Sequence, residues 1–177
     1  GTAGSNGFYT SDVTIKWTVT ESESDFSTQG CETRTFTEDG QYYQFCQADS
    51  EGGTTVRWAT VPRDATGPAI DVYSPWYPPA QIPSRYPRGT TVSAAYSCTD
   101  AVSGMATCQG DVANGQNLDT STAGTHTFTV HAEDAAGNHS TKAIPYIVVA
   151  PTALTVFDAS ATYGGAASLA ARLTSDG

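Results

Sequence analysis

Lysine is nearly missing from this chain, and positive charge is scarce with it. Two lysines and six arginines stand against 18 acidic residues, a formal net charge of −10 over 177 residues. Nucleic-acid binders concentrate Lys and Arg into a patch or stripe. Scattered arginines supply none, so no nucleic-acid partner is expected. Hydrophobic runs are short as well. Nothing approaches the roughly eighteen apolar residues of a spanning helix, so no membrane span is expected. No positive stretch leads into an apolar one near the opening GTAGSNG, and no signal peptide is expected within these residues. Methionine occurs once, and strong helix formers are sparse before the last stretch. No window keeps an i, i+3, i+4, i+7 apolar pattern between caps. No GxSxG or HExxH motif and no paired nucleophile and base appears, so no catalytic residues are assigned and no enzyme is expected.

Threonine, tyrosine and valine are abundant instead, and they favour strands. Aromatic residues make up 10% of the chain, which excludes a disordered tail. Period-two alternation recurs. In SDVTIKWTVT, Val13, Ile15, Trp17 and Val19 share one face, the pattern of a half-buried strand. ESESDFSTQG reads as a polar loop, CETRTFTEDG as a short strand ending in a turn, and QYYQFCQAD and TTVRWATV as two further strands. RDATGP reads as a short linker whose proline limits backbone freedom. Strands follow in PAIDVYSP, GTTVSAAYSC, TAGTHTFTVHAED and HSTKAIPYIVVA, with TDAVSGMATC as a turn-rich connection. Five prolines between positions 75 and 87 confine that stretch to an edge or loop.

The two halves repeat each other. With SDVTIKWTVTE set over GTTVSAAYSCTD, Val13 meets Val92 and Trp17 meets Tyr96; with CQADSEGGT over VHAEDAAGN, Ala48 meets Ala132 and Gly53 meets Gly137. A self-similar period signals a tandem array of small modules. The reading is all-β: module 1 at 1–66, module 2 at 67–150, and at 151–177 the first strands of a third module or a donated or docked tail. Cys31 and Cys46 fall in the first module, Cys98 and Cys108 in the second. Four cysteines allow three pairings; pairing within modules is favoured because each module would fold separately. Neither spacing is CxxC, and no histidine cluster accompanies them, which argues against zinc. Paired cysteines point to an oxidising compartment.

These phrases resemble bacterial immunoglobulin-like (Big/HYR-like) repeats. The resemblance rests on CETRTFTEDG, CQADSEGGTTV, VPRDATGP, CTDAVSG and DAAGN. It implies tandem immunoglobulin-like β-sandwiches, two complete plus the start of a third. It further implies a non-catalytic structural or adhesive segment, a stalk or spacer, of a secreted or surface-exposed protein. Its partners would be neighbouring modules or subunits of the same protein, or a host or glycan ligand. One alternative is a subunit of an extracellular filament assembling by strand donation or aromatic contacts. The other is an accessory carbohydrate-binding module. Asn138-His139-Ser140 is a formal glycosylation sequon, of little weight in a bacterial protein.

Three residue sets are candidates for a site. Tyr43 and Phe45 fall out of phase with Cys46 and face outward, which suggests a contact with another module or subunit. Trp76, Tyr77 and Tyr86 sit in the proline-rich stretch, where rings either stack on sugar or cover a junction. Asp64, Asp100 and Asp134 lie in turn sequences. Carboxylates there cap the backbone of their own turns or contribute to a calcium site; the turn role is favoured, and no cofactor is assigned. His126, His131 and His139 are expected not to share one face.

Overall fold

The computed structural model describes residues 1–75, 83–156 and 171–175. Its secondary structure is all β, with no helix among the described residues. The first strands are β1 (Val13–Ile15), β2 (Phe26–Gln29), β3 (Arg34–Phe36), β4 (Gly40–Ser50) and β5 (Gly53–Arg63). β1 pairs antiparallel with β3, and β2, β4 and β5 form a three-stranded sheet in that order. The β4–β5 hairpin pairs over its full length, from Gly40↔Arg63 to Ser50↔Gly53. Gly53 closes its turn at φ 126°, a conformation that disfavours any side chain.

Further along lie β6 (Ala69–Ser74), β7 (Ser84–Pro87), β8 (Ala95–Thr99), β9 (Met105–Gly110), β10 (Gly124–Asp134) and β11 (His139–Val149). β6 and β8 form a two-stranded sheet, and the order β7-β11-β10-β9 makes a four-stranded one. β7 joins β11 in parallel from the edge, where proline is tolerated. β12 (Thr152–Val156) and β13 (Ala171–Ser175) pair antiparallel with each other.

Three sequence expectations differ from this structure. The alternation of Val13 to Val19 predicts one long strand, but β1 ends at Ile15, whose partner is Arg34, the first residue of β3. Beyond it the ladder has no partner strand. The polar stretch after Glu21 contains β2, because its backbone pairs with Gln47–Ser50 regardless of its side chains. The turn-rich connection before Cys108 contains β9.

By spatial contact the chain divides into two compact units: 1–71 with 97–108 and 131–142, and 72–96 with 109–130 and 143–177. In the first, Val13, Phe36 and Val61 form a buried cluster, with Tyr9, Ile15 and Tyr42 packed against it. The Phe36 and Tyr42 ring centroids lie 4.7 Å apart. In the second, Val72, Val92, Ala94, Leu118, Phe128 and Val130 are buried. The Tyr96 ring packs 5.8 Å from Phe128, and its hydroxyl accepts a hydrogen bond from the Gly110 N–H at 2.9 Å. A side chain at Gly110 would place Cβ 2.8 Å from the Phe128 ring, so only glycine permits this approach.

Candidate functional site

Three carboxylates that lie far apart in sequence meet in the first compact unit. One oxygen from each of Asp64, Asp100 and Asp134 lies within 4.8 Å of the other two. Asp64 and Asp134 are fully buried, at 0% and 1% exposure, and Asp100 is half-buried. Burying charge without partners is expensive, and backbone N–H groups serve as those partners here. Asp100 Oδ1 accepts from the N–H groups of Val102, Ser103 and Gly104 at 3.1, 2.9 and 2.8 Å. Asp134 Oδ1 accepts from the Asn138 N–H at 2.8 Å, and Asp64 Oδ2 accepts from the Ser103 N–H at 3.1 Å. The Asn138 side-chain amide donates to Asp134 Oδ2 at 2.9 Å and to the Asp64 carbonyl at 3.0 Å. That engagement holds the sequon asparagine inside this network.

The carboxylates therefore cap turns, and the same caps converge. The region read from sequence as a linker is knitted through Asp64 to the turns at Asp100 and Asp134. In chemical kind the donor set suits a hard cation, which takes roughly six to eight oxygen ligands. Three carboxylates fall short of that number unless carbonyls or water join them.

The cysteines form two disulfides, Cys31–Cys46 and Cys98–Cys108. Among the histidines, His126 stacks on Tyr146 with centroids 5.2 Å apart and holds the Thr122 carbonyl at 2.9 Å through Nε2. His131 Nδ1 meets Thr141 Oγ1 at 3.1 Å. His131 and His139 line one open hollow together with Thr107 and Glu133. His126 is not among the residues of that hollow; His131 and His139 come together there because it is lined from both β10 and β11.

The aromatic candidates divide. Trp76 and Tyr77 lie outside the described residues. Tyr86 is half-buried and meets Tyr146 edge-on, with centroids 6.3 Å apart. Tyr43 is 60% exposed, and Phe45 is half-buried beside Trp58, with centroids 5.4 Å apart. Trp58 is 69% exposed, the most exposed large hydrophobic side chain among the described residues. Val56 and Trp58 stand two apart in TTVRWATV and so share a face, yet neither is among the sequence candidates. The signal was the pairing of TTVRWATV with QYYQFCQAD, which sets Phe45 opposite Trp58.

The sequence matches no protein-family model and no curated protein. Among solved structures it is similar to the crystal structure of the protocadherin gammaB4 extracellular domain, with 12% identity and a TM-score of 0.36. The match covers 83% of this chain and 28% of that one, so the chain spans little more than a quarter of that protein's length. A likeness this slight carries no argument about function.

Proposed function

We propose that this chain is a non-catalytic structural and adhesive segment, a stalk or spacer, of an extracellular bacterial surface or secreted protein. In this reading its sheets belong to tandem immunoglobulin-like β-sandwiches, two complete and a third begun. One observation carries it: a long hairpin with the same companions occurs twice. β4–β5 and β10–β11 are each hairpins of two 11-residue strands, and each region also holds a two-stranded sheet and one disulfide. Disulfides persist in oxidising compartments, which supports a place outside the cytoplasm. Long antiparallel ladders distribute load over many hydrogen bonds in parallel. The cross-links limit how far each region extends once its sheets give way.

Single-molecule pulling tests this reading. The oxidised protein is expected to unfold in cooperative, force-resisting steps. Reductant releases the spans Cys31–Cys46 and Cys98–Cys108, separated by 15 and 10 residues. At roughly 3.5 Å per residue, and less the 4.4 and 5.9 Å that the disulfides already span, the total extension then grows by about 77 Å. Extension without resisting steps, as for an unstructured chain, would sink the stalk reading.

A further inference from the structure

The β2–β4–β5 sheet leaves one face outside the buried cluster. On it Tyr43 stands opposite Thr60, Phe45 opposite Trp58, and Gln47 opposite Val56. Tyr43 and Trp58 are mostly exposed, at 60% and 69%. Phe45 is seated beside them. Its ring lies against Gly30, where a Cβ would come within 2.9 Å of the ring and where φ is +73°. The aromatic surface is therefore held in place from behind, not loosely displayed.

A fixed polar group lies one step along the same face. Asp49 stands opposite Thr54 and accepts from Thr54 Oγ1 at 2.5 Å and from Gln47 Nε2 at 2.9 and 3.1 Å. A hollow of about 290 Å³ adjoins the aromatic end, with Tyr43 and Phe45 on one side and Glu32, Thr33 and Arg34 on the other.

Charge selects among possible occupants. Asp49 is the one formal charge among the residues of these three strands that share the face. A second copy of the chain would bring its own −10 against the first, and like net charges oppose association. A basic partner would find no carboxylate beside the rings that Arg34 does not offset, since Glu32 and Arg34 line the hollow there together, and Asp25 and Glu51 gather with Asp49 at the opposite end of the face. A wholly apolar partner would strip water from Gln47, Asp49 and Thr54 without replacing its hydrogen bonds.

We propose that this face binds a neutral polysaccharide. The axial C–H faces of its sugar rings would lie on Trp58 and Tyr43. Its hydroxyls would donate to Asp49 and accept from Gln47. An amphipathic aromatic surface with a few placed polar groups meets what such a ligand requires. This site is separate from the stalk role, which stands without it.

Affinity electrophoresis through gels holding hydroxyethylcellulose, xyloglucan, galactomannan or β-1,3-glucan tests the proposal, together with depletion onto insoluble cellulose and chitin. Retardation or depletion is expected with at least one of these glycans. Trp58→Ala is expected to weaken that binding at least tenfold, Tyr43→Ala several-fold, and the remote Val102→Ala not at all. Trp58 is largely exposed, so Trp58→Ala should keep the parent melting temperature, which is measured alongside. No interaction with any of the six glycans overturns the proposal, as does binding that survives Trp58→Ala. A concentration-dependent dimer in sedimentation that Trp58→Ala abolishes, without glycan binding, assigns the face to a second copy and equally overturns it.

Discussion

Arg63 is nearly buried and holds two carboxylates at once, Asp39 through Nη1 at 2.5 Å and Asp12 through Nη2 at 2.9 Å. Asp39 also accepts from the Ala65 N–H at 2.9 Å and from the Thr66 hydroxyl. Burial pushes the Asp39 carboxyl upward; the hydrogen bonds from Thr66 and Ala65 and the charge of Arg63 outweigh it and hold the group below its ordinary value of 3.8. A lowered carboxyl contributes stability that is present above its unfolded value and is lost as pH falls through the folded one. The protein should therefore lose stability as pH drops below about 4. Asp39→Asn should flatten that acid limb and cost on the order of 1.5–3 kcal/mol at neutral pH. Melting curves from pH 2.5 to 7 read both effects, and an unchanged acid limb would refute this role for Asp39.

Asp100 makes a second claim at this scale. Its carboxylate serves three consecutive backbone N–H groups, so Asp100→Ala should destabilise by about 1–3 kcal/mol. As a turn cap it should do so equally in calcium and in chelator. A loss confined to calcium-containing buffer would instead make the carboxylates cation ligands.

At the scale of elements, strand parity was legible in the sequence. Alternation in QYYQFCQAD put Gln44 and Cys46 on one face and Tyr43 on the other, and the structure buries the first two and exposes the third. The Gln44 amide donates to the Glu32 carbonyl at 2.8 Å, while its Oε1 is buried without a hydrogen-bond partner. Strand length was not legible. Val13, Ile15, Trp17 and Val19 alternate cleanly, yet the ladder ends where β3 begins, and Trp17 Nε1 is left buried without a hydrogen-bond partner. Alternation reports which side a residue faces; it carries no information about where the neighbouring strand stops. Near that region Cys31–Cys46 ties the segment between β2 and β3 to the middle of β4. Closing a loop of this size is worth about 3 kcal/mol through the unfolded chain. The Cys31→Ser, Cys46→Ser double variant should therefore melt well below the parent by calorimetry, and reductant should then shift it less than the parent. A variant as stable as the parent would refute the loop-closure account.

Over the whole molecule, a formal net charge of −10 opposes association between copies. The segment around Asp64 shows how far tertiary contacts override sequence appearance. RDATGP has the composition of an exposed connector. It is instead held by Asn138 through the Asp64 carbonyl and by the turn at Asp100. Pulling and glycan binding address this scale, because each depends on whole sheets and not on one contact.

By itself the sequence determined the β class, the turns at Ser50–Gly53 and Asp134–Asn138, and the facing of residues such as Tyr43 and Cys46. Those features follow from local sterics and a period of two, which neighbouring residues impose on one another. Tertiary structure alone decided that Trp58 lies opposite Phe45, that β1 stops at Ile15, and that Asp64, Asp100 and Asp134 meet. Each of those depends on which distant segment lies alongside, and alternating side chains do not encode the identity of the strand or turn across from them.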